Sequence, residues 1–149
     1  MGSVVLDHDN VSGTASLWRP WALATASAVI VNVLISRLAL RFLPIARDFG
    51  PLKPGPIVFW TLVGVAGATG VFAIVRRRAA RPRSRFLAIA AVTLVISFIP
   101  DALLLSARYR ARFPGTGPLS VGVLMLLHVT TAAITVGLLL SRARRTRAV

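Results

Sequence analysis

Residues 76–85 read RRRAARPRSR and place six arginines within ten positions. Apolar residues fill the chain on either side, over residues 57–75 and again over residues 86–105. Each of these segments is close to the length of about 20 residues that an α-helix needs to cross a bilayer. Short loops rich in Lys and Arg stay on the cytoplasmic side of a membrane. The arginine-rich segment therefore predicts a short cytoplasmic loop between two membrane-spanning helices.

The overall composition favours a membrane protein and excludes several other classes. The chain has 149 residues, is 56% hydrophobic and has a mean hydropathy of +0.76, which is too apolar for a soluble domain. Its formal net charge of +14 would suit a nucleic-acid partner, but nearly all of the basic residues flank apolar segments. At such positions they anchor helices and meet anionic lipid headgroups, so we expect no nucleic acid. There is no cysteine, which excludes disulfides and thiol chemistry.

The apolar segments predict one four-span domain between two polar ends. Residues 1–18 form a polar tail, predicted to be disordered, and residues 142–149 form a basic tail. The domain covers residues 19–141, with predicted helices at about 20–42, 57–75, 86–105 and 119–140. Prolines predict an extended loop over residues 43–56, and Pro100 is expected to interrupt the third span. The predicted fold class is an all-α integral membrane four-helix bundle.

The distribution of basic residues predicts the orientation of the bundle. Four spans place both termini and the arginine-rich loop on one side, which carries eleven arginines: Arg19, Arg76, Arg77, Arg78, Arg81, Arg83, Arg85, Arg142, Arg144, Arg145 and Arg147. The other side carries six basic residues: Arg41, Arg47, Lys53, Arg108, Arg110 and Arg112. Because basic residues concentrate on the cytoplasmic side, both termini are predicted to be cytoplasmic. The arginines of residues 76–85 and 142–147 are predicted to contact anionic headgroups.

Four polar residues within the predicted spans need partners, because hydrocarbon offers no hydrogen bonds. Asn32 and His128 are predicted near mid-depth, facing each other across the first and fourth spans. Arg37 and Asp101 are predicted near the outer ends of the first and third spans, where an ion pair between them would reduce the penalty of burial. Together these four residues form the candidate intramembrane polar site.

Two interpretations of Asn32 and His128 stay open. In the first, both residues hold helices together, since interhelical hydrogen bonds contribute about 0.6 kcal/mol each in membranes. In the second, a ligand or a proton binds around His128, because an imidazole titrates near neutral pH. The second span instead offers small residues that allow close helix packing, namely Gly64, Gly67, Ala68 and Gly70.

Several segments of the chain resemble one family of small bacterial membrane proteins. They are VIVNVLISRL at residues 29–38, VFAIVRR at 71–77, RFLAIAAVTLVISFIP at 85–100 and LMLLHVTTA at 124–132. With Asn32, Pro100, His128 and the Gly-Pro turn before the fourth span, they resemble the DUF6069 family over roughly residues 20–141. The resemblance implies a four-span fold and a multi-pass location in the bacterial inner, or cytoplasmic, membrane. It implies no activity.

The expected function is that of a non-enzymatic accessory or interaction subunit, bound to a membrane protein partner or to a second copy of itself. The sequence has no HExxH zinc motif and no spacing that suggests a catalytic triad, so neither an enzyme nor a cofactor is expected. The alternative is a small transporter or ligand-binding bundle with a polar site around Asn32 and His128. A water-filled cavity that reaches His128 would favour this alternative, whereas dry packing there would favour the accessory subunit.

Overall fold

A computed structural model describes residues 18–145 of the chain, with side chains over residues 21–141. This range contains five α-helices, α1 (Trp18–Phe42), α2 (Pro54–Arg78), α3 (Pro82–Leu103), α4 (Ala107–Arg112) and α5 (Pro118–Arg145), together with one 3-10 turn, Gly50–Leu52, and no β-strand. All of the helices except α4 are long and apolar enough to cross a membrane. The all-α fold class and the four spans are therefore confirmed.

Most helix ends lie beyond the predicted ones, although α3 ends at Leu103, two residues before its predicted end. α2 begins at Pro54 and α3 at Pro82, because the missing N–H of proline would have no partner in the first turn of a helix. The arginine-rich segment is consequently mostly helical, and only residues 79–81 connect α2 to α3. α3 also continues through Pro100, which was expected to interrupt it. A proline inside a helix removes one backbone hydrogen bond. The helix nevertheless continues for about one turn after Pro100, to Leu103.

The two predicted tails fall largely outside the described residues. The predicted polar tail of residues 1–18 overlaps the structure only at Trp18, where α1 begins. The predicted basic tail of residues 142–149 starts as helix, because α5 runs to Arg145. The predicted headgroup contacts of Arg142, Arg144, Arg145 and Arg147 lie outside the described side chains.

α5 is the central helix of the bundle and packs against α1, α2 and α3. α1 packs mainly against α5 and α2, and α3 packs mainly against the same two helices from another side. α3 is the least enclosed of the four spans, with only Phe86 and Asp101 buried. Phe86 contacts Phe72 of α2 edge to face, with ring centroids 4.9 Å apart, close to the short α2–α3 connection. Most of the remaining surface of α3 is apolar and at least partly exposed.

The loop of residues 43–53, which we call the end cap, closes the opposite end of the bundle. Phe49 and Leu52 are fully buried there, in one apolar cluster with residues of α1, α2 and α5. The hydroxyl of Ser36 on α1 donates a hydrogen bond to the Leu52 carbonyl at 2.7 Å and holds the cap in place. The turn before α5 lies against the cap: a Cβ on Gly115, whose φ is +84°, would stand 2.5 Å from the Cβ of Ala46. The segment predicted to be an extended loop is thus folded against the end of the bundle, with part of it in the apolar core.

Candidate functional site

Asn32 lies where α1, α2 and α5 meet, and it is only 1% exposed. Its Nδ2 donates hydrogen bonds to Thr61 Oγ1 of α2 at 3.0 Å and to Thr131 Oγ1 of α5 at 2.7 Å. The Thr131 hydroxyl in turn donates to the Leu127 carbonyl at 2.9 Å. An Asn amide has two N–H donors, so both are used to join α1 to its two neighbours. We call Asn32, Thr61 and Thr131 the three-helix cluster.

The surroundings of the three-helix cluster are tightly packed. Thr61 is 4% exposed, and a Cβ added to Gly64 on the next turn of α2 would lie 3.8 Å from the Thr131 methyl carbon. This is an ordinary van der Waals distance, so an alanine at position 64 would fit between α2 and α5 without a clash. Two surface cavities of the described residues are lined by other side chains and do not reach the cluster. The arrangement is a closely packed junction between helices, in which Asn32 Oδ1 is buried without a hydrogen-bond partner among the described residues.

His128 and Asp101 form a second polar site, which we call the His–Asp pair, where α5 meets α3. The Nδ1 atom of His128 lies 3.2 Å from Asp101 Oδ2 and 2.9 Å from the Leu124 carbonyl oxygen. A carbonyl can only accept, so Nδ1 carries the hydrogen and donates it to Leu124. Asp101 Oδ2 is buried and receives no aligned hydrogen bond from residues 18–145. The pair becomes a true ion pair only when the imidazole is protonated.

The imidazole is the exposed member of the His–Asp pair. The His128 side chain is 37% exposed, against 9% for that of Asp101, and the ring meets the Phe98 ring at 90° with centroids 6.5 Å apart. Its Nε2 atom has no hydrogen-bond partner in the described part of the chain. Asp101 is two residues from the end of α3, so the pair lies within about one helical turn, or ~5 Å, of that end. Over the same residues, no cluster of His and acidic side chains could hold a metal ion.

Arg37 belongs to neither polar site. It is exposed on α1 and lines an open cavity beside the end cap. The predicted ion pair between Arg37 and Asp101 does not form, because the Asp101 carboxylate faces His128. The reason is rotational: Arg37 follows Asn32 by five residues, about 140° around a helix of 3.6 residues per turn. With Asn32 turned into the bundle, Arg37 points away from it.

The prediction that Asn32 and His128 face each other is also wrong. Asn32 bonds to Thr131, whereas His128, three residues earlier on α5, turns towards Asp101 of α3. Three residues correspond to about 60° of rotation around the helix, enough to present the two side chains to different neighbours. The candidate intramembrane polar site is thus divided between the three-helix cluster, the His–Asp pair and the exposed Arg37.

Thr61 is a site residue that the sequence analysis missed. The second span was interpreted only through its small residues, although Thr61 is a hydroxyl residue in an otherwise apolar segment, seven positions after Pro54. A hydroxyl among lipid-compatible side chains is a signal for an interhelical hydrogen bond. Considered in this way, the sequence would have indicated a polar contact for α2.

One of the comparisons with known proteins gives a match, to a protein family. Residues 12–145 match the model of a family of unknown function, DUF6069. The match covers most of the chain and confirms the resemblance that the sequence motifs indicated. No curated protein and no solved structure matches the chain.

Proposed function

Because the chain belongs to the DUF6069 family and has four helices able to span a membrane, we propose that it is a non-enzymatic accessory subunit that binds another membrane protein. One observation carries this proposal, the half-exposed imidazole of the His–Asp pair. A polar side chain in an apolar span requires a polar partner or water, and the side chains described, residues 21–141, include a partner for His128 Nδ1 but none for Nε2. A helix of a partner protein would supply one.

The surface beside His128 suits such a helix. Ala91, Val95 and Phe98 recur at spacings of four and three residues, so they share the face of α3 that leads to the imidazole. A shallow apolar groove of about 290 Å³ on the exposed surface of α3 is lined by Ala91, Val92, Val95 and Ile96, of which Ala91 and Val95 border the face that carries Phe98. Lipid tails could cover the groove, but they offer no hydrogen bond to Nε2. A partner helix with a hydroxyl or amide side chain would cover the apolar groove and donate a hydrogen bond to His128 Nε2.

The packing of the three-helix cluster also favours an accessory subunit over a transporter. A transport pathway through the bundle would require a water-filled cavity near mid-depth between helices. Asn32 instead donates both of its amide hydrogens to hydroxyl groups on neighbouring helices. The centre of the bundle therefore serves cohesion, and the outward-facing His128 is left for recognition.

Site-specific photo-crosslinking in cells tests this proposal. A photoreactive residue replaces Val95 in the groove, and a matched probe replaces Ile30, an equally exposed apolar residue on α1. We expect a discrete protein adduct from Val95 that is absent from Ile30 and is lost when His128→Phe is added. An adduct with the mass of two copies of this chain would identify the partner as the protein itself. Equal adducts from both positions, or an adduct that survives His128→Phe, would contradict the proposal.

A second candidate function, a small proton- or ligand-conducting bundle, is favoured by one observation. The buried Oδ2 of Asp101 has no hydrogen-bond donor in the described structure and lies beside a titratable imidazole near a helix end. Proteoliposomes with an imposed pH gradient and an internal pH dye distinguish the two candidates. Faster collapse of the gradient with wild-type protein than with Asp101→Asn would support conduction, and equal rates would support the accessory subunit.

A further inference from the structure

A second cluster of charge lies at the capped end of the bundle, away from both polar sites. An open cavity of about 360 Å³ is lined there by four basic side chains: Arg37 and Arg41 of α1, and Arg47 and Lys53 of the end cap. Leu40 and Leu52 contribute its apolar part. We call this feature the basic cavity.

The four cations of the basic cavity lack carboxylate partners. Within the described residues, none of them forms an ion pair with an acidic side chain, including Asp48, which is adjacent to Arg47 and exposed. Four like charges around one opening repel one another, and the repulsion is strongest where lipid and protein displace water. An anion in the cavity would relieve this repulsion. Arginine guanidinium groups are particularly suited to phosphate, which they bind in bidentate fashion.

The start of α2 borders the same cavity, because Pro54 lines it and Gly55 follows directly in the chain. Pro54 and Pro56 have no N–H, and the N–H of Ile57 is used by the Lys53 carbonyl at 3.3 Å. Gly55 is left as the first-turn residue with an available N–H, and nothing lies within 4 Å of where its Cβ would be. There is no acidic residue in this first turn. The positive end of the helix dipole is therefore open to an anion.

The basic cavity is held in shape by the end cap. Arg47 and Lys53 flank Phe49 and Leu52, which are both fully buried. Leu52 is also fixed through its carbonyl to Ser36 of α1, one residue before Arg37. The two halves of the cavity are thus joined by a buried hydrogen bond. A site that is already ordered loses less entropy on binding than one assembled from mobile chains.

We propose that the basic cavity binds a phosphate-type oxyanion, carried either on the headgroup of an anionic phospholipid or free in solution. The site is separate from the arginines at the α2–α3 connection. Pro54 and Arg77 lie near opposite ends of α2, about 35 Å apart at 1.5 Å per residue. Arg37 and Arg41, one turn apart on α1, would bind the phosphate together with Arg47 and Lys53 of the end cap, and the Gly55 amide, next to Pro54, would report the bound charge.

Nuclear magnetic resonance of full-length protein labelled with 15N-glycine tests this proposal in a maltoside detergent free of phosphate. Phosphatidylglycerol, phosphatidylcholine and inorganic phosphate are titrated separately while the Gly55 amide is followed. We expect a saturable shift of Gly55 with at least one phosphate source, while Gly70, further along α2, stays unchanged. Arg37→Gln with Arg41→Gln should weaken the apparent affinity at least ten-fold. Arg76→Gln with Arg77→Gln, at the far end of α2, is the matched control and should leave it unchanged.

The titrations also identify the source of the phosphate. Saturation by phosphatidylglycerol with no response to inorganic phosphate assigns the site to a lipid headgroup, whereas a response to inorganic phosphate assigns it to a free anion. If neither phosphatidylglycerol nor inorganic phosphate gives a saturable Gly55 shift, the proposal is overturned. It is also overturned if the shift survives Arg37→Gln with Arg41→Gln. Arg47→Gln with Lys53→Gln provides a second pair on the end cap, in case the first pair alters the α1 helix. The thermal midpoint of each variant is measured alongside.

Discussion

Asn32 joins three helices through one amide group, and its replacement should show what that junction contributes. Asn32→Leu keeps the size of the side chain but removes both interhelical hydrogen bonds. At about 0.6 kcal/mol for each bond, and with two hydroxyls deprived of a donor, we expect a loss of about 1–2 kcal/mol in the free energy of unfolding. Unfolding in mixed detergent and SDS measures this loss.

Thr93→Val is the matched control for Asn32→Leu. Thr93 is a polar residue of α3 that is exposed rather than packed between helices. Its replacement should change the free energy of unfolding by less than about 0.5 kcal/mol, as is usual for surface substitutions. If Asn32→Leu were as mild as Thr93→Val, the three-helix cluster would have no structural importance.

The His–Asp pair should be energetically coupled, whereas Arg37 and Asp101 should not. Residues in direct contact show interaction energies of about 0.5–3 kcal/mol in double-mutant cycles, and distant residues are additive within about 0.5 kcal/mol. We therefore expect coupling between His128→Ala and Asp101→Ala, because His128 Nδ1 and Asp101 Oδ2 lie 3.2 Å apart. Arg37→Ala combined with Asp101→Ala should be additive. Thermal unfolding of the single and double variants decides both cases, and additivity in the first cycle would contradict the observed pair.

The sequence could predict that these residues need partners, but not which partners they have. The need follows from hydrocarbon, which offers neither a donor nor an acceptor to Asn32 or Asp101. The choice of partner depends on how far each helix is rotated about its axis. In a membrane span, apolar residues face lipid and neighbouring helices alike, so the apolar pattern does not fix that rotation. This is why Asp101 was assigned to Arg37 rather than to His128.

At the scale of the structural elements, the contact between the end cap and the turn before α5 should be sensitive to a single added methyl group. Gly115→Ala places a Cβ 2.5 Å from the Cβ of Ala46 and forces an L-residue into a φ of +84°. The left-handed conformation alone costs about 1–2 kcal/mol, and the collision adds to this. We expect a fall of several degrees in the thermal midpoint. Gly117→Ala is the control, because nothing lies within 4 Å of that site and its φ is not positive. Equal midpoints for the two variants would contradict the close contact.

The existence of the four long helices could be predicted from the sequence, whereas the residues at which they begin and end were harder to predict. Apolar length alone identified the four spans, since about 20 residues must cover the hydrocarbon. Pro54 and Pro56 were interpreted as loop residues because proline disrupts a helix interior, although it is well tolerated in a first turn. The short helix Ala107–Arg112 was likewise missed within a segment that reads as a basic loop. A helix of this length gives too short a pattern to stand out from its surroundings.

For the whole molecule, the orientation in the membrane remains a prediction that reporter fusions can test. With four spans, both termini and residues 79–81 share one side, and the count of eleven basic residues against six predicts that this side is cytoplasmic. A reporter fused after Val149 should therefore give a cytoplasmic signal. One inserted between Phe113 and Pro118 should give a periplasmic signal. A periplasmic signal from the Val149 fusion would contradict the predicted orientation.

The short connection of residues 79–81 also has a consequence for proteolysis. Trypsin cleaves after arginine unless a proline follows, so residues 76–85 offer five potential cleavage sites, and Arg81, which precedes Pro82, is not one of them. All five belong to α2 or α3, however, and proteases prefer exposed, flexible loop tips to ordered helices. The segment should therefore resist digestion for as long as Phe72 and Phe86 keep the two helices together. Its cleavage by trypsin would then report the parting of α2 and α3 in an intact membrane.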